Sequence, residues 1–267
     1  MKKLFLLPVI FAANNLVPVH EFWLQPDKFI YKRGETINIR LRTGKNFGEK
    51  NWTDNKDQLQ GLHFYFGGVK DQDLLKAWSD KKGDSIQLAL LDEGTAMVCS
   101  NSTNNFVEMQ ADKFNEYLME NGFTKAIEYR QQNNDTSSPG REYYHRSLKT
   151  IFQVGTKTDK TYKQKTDLPI DIILEDHPYN AVNDEKFKVK VLFNGEPLAH
   201  EKVKVSHRLN NEITQIEYTT DGNGDFKFFF TPAGQWMVSI VKMIRLKNDP
   251  KAAWQSYWGS LTWGYSN

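Results

Sequence analysis

Six histidines are the side chains of this sequence best suited to hold a metal ion, because neutral imidazole is the commonest protein ligand for transition metals. Three of them stand in settings that could serve. His20 opens the stretch "HEFWLQP" just behind an apolar run; it is either the start of an ordinary strand or the amino terminus of a processed protein. His177 in "LEDHPY" follows Glu175 and Asp176, and nearby acids favour a cation. His63 in "LHFYF" lies on the face opposite Leu62 and Phe64, so it looks either into a site or into solvent. For His177 the simpler reading is a loop histidine ahead of Pro178. The other three are weaker candidates. His145 is read within a helix, with Arg141 and Lys149 one turn away on either side and Arg146 adjacent. His207 continues the face of Val203 and Val205, which suits a satisfied core or edge position, and His200 falls in a hairpin.

Other chemistry has little support. No G-x-S-x-G elbow, H-E-x-x-H helix or phosphate loop occurs. Cys99, the single cysteine, has no local signature of a nucleophile and cannot close an internal disulfide. "DGNGD" at 221–225 resembles a calcium loop, but the sixth and twelfth positions of that template fall on Phe226 and Pro232. A tight hairpin turn explains it better. A second kind of site is a flat aromatic face on the terminal strand. There Trp258 points one way, and Tyr257, Trp263 and Tyr265 point the other, toward a core.

Composition bounds the class. Apolar residues make up 39% and charged residues 25%, a globular balance. The net charge of +2, with basic residues scattered among acids, supplies no field for nucleic acid. Lys2 and Lys3 ahead of "LFLLPVIFAA" read as an export signal over 1–19, since about ten apolar residues match a signal core and are too few to span a bilayer. Val19 is a poor residue at the cleavage position before His20. No later segment approaches the roughly 20 apolar residues of a membrane helix.

The positioning elements are mostly short strands. "TINIRL" alternates, with Ile37, Ile39 and Leu41 on one face. "HFYF", "SIQLALL" and "NFVEM" are further strands between turn clusters. Two helices are expected near 111–121 and 139–153. The first rests on Phe114, Tyr117 and Leu118 at helical spacing with Gly122 as a left-handed cap. The second rests on Tyr144, Leu148, Ile151 and Phe152 on one stripe behind Ser138 and Pro139. "RQQNNDTSSPG" between them reads as a polar loop. A charged, core-free linker is expected at 159–165. Beyond it, "KFKVKVLF" places Phe187, Val189, Val191 and Phe193 on one face, and strands recur between turns at a spacing typical of an immunoglobulin-like sandwich. The expectation is a mainly β chain with an N-terminal β-sandwich at 20–158, carrying the two helices, and a C-terminal immunoglobulin-like sandwich at 166–267.

"GEPLAHEKVKV", "TTDGNGDFKFFF" and "GQWMVSI" resemble a prealbumin-like (Cna-B-type) repeat. "HEFWLQP", "RGETINIRLRTGKNFG", "ADKFNEYLMENGF", "REYYHRSLKTIFQVG", "LPIDIILEDHPY" and "WGSLTWGY" together resemble an exported bacterial family of poorly characterised function associated with nickel and cobalt uptake. That resemblance implies a periplasmic protein that binds Ni²⁺ or Co²⁺ and assists a membrane-embedded uptake system. It also implies a processed His20 as ligand. An α-amine and an imidazole of one residue form a chelate that copper favours too, with His63 or His177 completing the site. The sequence departs from the pattern at Lys242, where a histidine is expected. The rival reading is a periplasmic or surface module that binds carbohydrate or protein without metal.

Overall fold

Alternation of apolar side chains shapes most of what folds. The structure is a computed structural model that describes residues 21–45, 47–48, 50–52, 58–74, 85–182 and 185–265. The expected export segment and His20 lie outside the described residues. The first half comprises β1 (Glu21–Pro26), β2 (Ile30–Tyr31), β3 (Thr36–Gly44), β4 (Lys50–Asn51), β5 (Leu59–Phe66), β6 (Val69–Asp73), β7 (Ser85–Ala89), β8 (Gly94–Ser102), β9 (Asn105–Met109), α1 (Ala111–Glu120), α2 (Thr124–Gln132) and β10 (Gly140–Val154). The second comprises β11 (Ile170–Leu174), β12 (Glu185–Phe193), β13 (Glu196–Pro197), β14 (Lys202–Leu209), β15 (Glu212–Thr219), β16 (Asp225–Phe230), β17 (Gln235–Arg245) and β18 (Trp254–Gly264).

Three sheets result among the described residues. A central sheet of ten strands runs β15-β14-β17-β18-β10-β8-β5-β6, with β2 and β9 also paired to β10. β1, β3, β4 and β7 form one small sheet; β11, β12, β13 and β16 form another. Each small sheet packs on a different part of the central one. Ile37, Ile39 and Leu41 meet Leu62, Phe64, Val98 and Phe152 in the first core. Phe187, Val189 and Val191 meet Val205, Val238, Leu261 and Trp263 in the second. The middle strands feed both: on β8, Ala96 and Val98 join the first core, and Met97 and Cys99 the second. The chain is thus mainly β, with two immunoglobulin-like sandwich regions on a shared sheet and two helices inserted in the first.

The stretch 139–153 is not a helix. It is β10, fifteen residues long and buried without break from His145 to Val154. Its neighbours explain the misreading. β10 pairs in parallel with β18, from Glu142 opposite Trp254 to Thr150 opposite Thr262, and antiparallel with β8 and β9. A strand covered on both faces shows no period-two pattern, and an apolar run without it can imitate a helical stripe.

The first expected helix forms as α1, and Gly122 follows it in the left-handed region (φ 68°). The second helix is α2, within a stretch whose apolar face is nearly missing. Its Arg130 is 1% exposed and stands where a core residue normally sits. The guanidinium donates to Asn115 Oδ1 (3.1 Å) and the Ser138 carbonyl (2.7 Å), which ties down the polar loop that follows. α1, through Phe114, Tyr117 and Leu118, and α2, through Ala126, share one core cluster with Trp254 and Trp258, with Phe123 between the helices.

The segment 159–165 is packed against the first half. Thr161 and Tyr162 are buried, Asp159 accepts from the Thr95 N–H (2.9 Å) and Thr161 accepts from the Gly68 N–H (2.9 Å). A buried ion pair joins β10 to β11, Lys149 Nζ to Asp171 Oδ1 at 2.5 Å. The Asn194-Gly195 hairpin has the positive φ values (49° and 84°) that a tight turn of this kind requires. "DGNGD" is a turn too, with Asp221 accepting from the N–H groups of Asn223 (2.8 Å) and Asp225 (2.9 Å). No helix among the described residues is long and apolar enough to cross a membrane.

Candidate functional site

The expected metal ligands occupy different surroundings. His177 caps the short turn Pro178–Asn180, its Nδ1 accepting from the Tyr179 N–H at 3.1 Å. With Nδ1 accepting, Nε2 carries the proton of the neutral ring. It lies 3.2 Å from Thr95 Oγ1, which itself donates to Gln153 (3.0 Å). Both ring nitrogens are therefore engaged. Burial pushes the His177 pKa down, against the opposing charge of Asp159, which favours that neutral form. Asp176, the acid expected to attract a cation, accepts from the Lys188 N–H instead (2.7 Å).

His63 stands on β5 opposite Cys99 of β8 and Asp73 of β6. It lines a cavity of about 100 Å³ with Tyr65, Asn101, Thr166 and Asp167. Cys99, set aside on sequence, is thus a neighbour of His63, with 1% exposure. No three His, Cys, Asp or Glu side chains among the described residues converge to hold a metal ion. His20 lies outside those residues. From Glu21 onward "EFWLQP" is an ordinary strand, with Trp23 fully buried and Glu21 accepting from Ser239 Oγ (2.9 Å) and the Phe47 N–H (3.2 Å). Lys242, at the expected histidine position, is ion-paired with Glu201.

The remaining histidines are structural in setting. His207 stacks on Trp236 (3.9 Å between centroids) with Nε2 2.9 Å from the Ala233 carbonyl. His145 is buried on β10, and desolvation lowers its pKa. On a strand, its spacing from Arg141 and Lys149 no longer has the helical meaning assigned above. His200 is exposed. The aromatic terminal strand is core: Trp254, Trp258 and Trp263 are 3%, 8% and 0% exposed.

One flank of the second sandwich is open. There the central sheet contributes β15, β14, β17 and β18, and the facing sheet contributes β11, β12 and β16 as its longer strands. β11 crosses β18 so closely that a Cβ on Gly259 would meet Ile170 at 2.2 Å. Phe228 and Phe230 of β16 pack on Trp236 of β17, with centroids 5.5 and 5.1 Å apart. β15 overhangs beyond them. Its pairing places Ile216 beside Val205 and Tyr218 beside Val203, on the face that is core elsewhere in the sheet. Yet Ile216 is 57% exposed, and Tyr218 is only half-buried, against Phe226 (5.8 Å) and Phe228 (6.2 Å). An open cleft of about 500 Å³ runs along this rim, lined by Tyr218, Asp225, Phe226 and Lys227 among others. Sequence reading missed this flank because "IEYTT" looks like any other strand; its exposure depends on what lies opposite.

The fold and this flank define a β-sandwich protein with an incompletely covered second layer. The chain belongs to the family described as "Domain of unknown function (DUF4198)", whose model matches residues 19–243. The resemblance read from the sequence holds at that level. A comparison with curated proteins returns no match. Among solved structures the chain is similar to a mutant Salmonella alpha-2-macroglobulin, at 11% identity and a TM-score of 0.27 over 91% of this chain and 15% of that one. It is similar to Escherichia coli alpha-2-macroglobulin activated by porcine elastase, at 10% identity and a TM-score of 0.25 over 92% and 20%. It therefore spans no more than a fifth of either macroglobulin's length. A segment of two fibronectin type-III domains from chicken tenascin shares 13% identity with a TM-score of 0.20 over 88% of this chain and 95% of that one.

Proposed function

We propose that this protein is an exported, non-catalytic interaction module of the periplasm or cell surface, and that it binds a protein partner through the open flank of its second sandwich without metal. One observation carries the reading: Ile216, an inner-face residue of β15, stands 57% exposed two residues before Tyr218, which lines a cleft of about 500 Å³. Apolar side chains on the inner face of a sandwich are normally covered by the opposite sheet, and an uncovered one rimmed by polar groups suits a binding surface. A carbohydrate partner is less well served, since the three tryptophans of β18 are core.

A photo-crosslinking residue placed at position 216, in protein exported by its native host, should capture a discrete partner identifiable by mass spectrometry. The same residue at Leu91, 73% exposed in the first half, should not. Silence at position 216, or equal capture at both positions, would count against the reading. Nickel or cobalt binding in aid of an uptake system has its own discriminator. A mature terminus at His20, found by intact mass, with tight Ni²⁺ or Co²⁺ binding lost in His20→Ala, would replace the present reading.

A further inference from the structure

We infer that the free edge of β16 accepts an extended strand from the partner protein, and that this strand alternates apolar side chains with acidic ones. The inference rests on the open-flank reading and adds the mode and chemistry of binding.

The geometry asks for a strand. Among the described residues β16 pairs with β12 alone; Asp221 takes up the N–H and carbonyl of Asp225, but beyond it, as far as Phe229, the outward-facing N–H and C=O groups meet no other strand. An unpaired edge is a template for another chain. Strand addition satisfies these groups, while alternate side chains select the sequence. A strand laid there also lies beneath β15, because β15 is the strand of the central sheet that the facing sheet leaves uncovered. Its inward side chains would cover Ile216 and Tyr218 and extend the row of Phe226, Phe228 and Phe230, all buried. Those inward positions call for apolar residues.

The outward positions are set by charge. On the outer face of this sheet, Lys186, Lys188 and Lys190 of β12 stand opposite Phe229, Lys227 and Asp225 of β16. Asp225 binds both Lys188 (2.7 Å) and Lys190 (2.6 Å). Lys227 is exposed, faces the like charge of Lys188 and makes no ion pair with any described residue. Like charges directly opposite one another are unfavourable, and an opposite charge on the next strand is favourable. An acid beside Lys227 supplies that charge. Next to it, Phe229 is 67% exposed with Lys186 Nζ 5.7 Å from its ring centre, and offers the incoming strand an apolar neighbour.

The probe is a short, end-blocked peptide alternating valine and glutamate, with a valine–lysine peptide as control. Binding is read by titration and by backbone hydrogen exchange on the full chain. The glutamate peptide should bind, slow exchange in the stretch 225–230 and bind about tenfold more tightly than the lysine peptide. Lys227→Glu, at an exposed position, should reverse that order. Ile216→Asp, also exposed, should weaken both peptides. Equal binding of the two peptides, or binding that leaves 225–230 unprotected, would overturn the inference. So would protection of that stretch on raising protein concentration alone, which would make the occupant a second copy of this chain. If position 216 captures a partner while the peptides fail, the interaction module stands and strand addition falls; if position 216 captures nothing, both fall.

Discussion

Glu142 shows how much a single residue can carry away from the flank. Its side chain is fully buried beneath α1. Oε1 accepts from Tyr117 Oη (3.1 Å) and from Ser256 Oγ, which in turn accepts from Trp258 Nε1 (3.0 Å); Oε2 has no partner among the described residues. Burial raises its pKa to about 7, against the lowering effect of those two hydrogen bonds. Between its ordinary value of 4.5 and about 7, the folded protein holds this proton and the unfolded chain releases it. Stability therefore falls as pH rises through that window, by about 3 kcal/mol for this group. Buried His145 and the half-buried His177 and His207 have lowered pKa values and act with the opposite sign below pH 6.5, so the test is a difference. Urea unfolding of wild type and Glu142→Gln, at about pH 5 and about pH 8, should show the variant gaining relative stability at the higher pH. A difference that does not change with pH would refute the assignment.

At the scale of elements, the helix layer depends on a missing side chain. Gly140 begins β10 directly beneath α1, and a Cβ there would lie 2.0 Å from Cγ of Phe114, which is fully buried. Phe114 cannot retreat, because Arg130 lies over its ring at 5.0 Å and Tyr117 packs beside it at 5.8 Å. Gly140→Ala should therefore cost about 1–3 kcal/mol by overpacking, visible as a lower urea midpoint; an unchanged midpoint would mean that the helices ride loosely on the sheet. β10 itself shows the limit of local patterns. Leu148, Phe152 and Val154 enter the first core while Ile151 enters the second, and Lys149 on the same strand reaches Asp171. Strands with one dry face, such as β3 and β12, keep the alternation that β10 has lost.

Across the whole molecule, β18 ties the end of the chain to its beginning. Beyond its parallel pairing with β10, Ser260 and Thr262 donate to the carbonyls of Phe22 (2.7 Å) and Leu24 (2.6 Å) on β1. The two halves should then unfold together. Val189, fully buried in the second core, offers a test: Val189→Ala should cost about 2 kcal/mol and lower hydrogen-exchange protection in β3, which contributes to the first core. Loss of protection confined to the second sandwich would show that the shared sheet does not couple them.

The amino-acid sequence by itself determined the mainly β class, the inner faces of β3 and β12, α1 with its glycine cap and the turn at Asn194-Gly195. Each of these is a local pattern, repeated within a few residues and read without reference to the rest of the chain. The tertiary structure alone decided that 139–153 is a strand, that Arg130 anchors a second helix, that His63 and His177 serve different surroundings and that β15 overhangs its partner sheet. Those outcomes depend on which distant strands pair and what lies across the core. Pairing order across a sheet leaves no period in the sequence, and burial on both faces erases the one a strand would otherwise show.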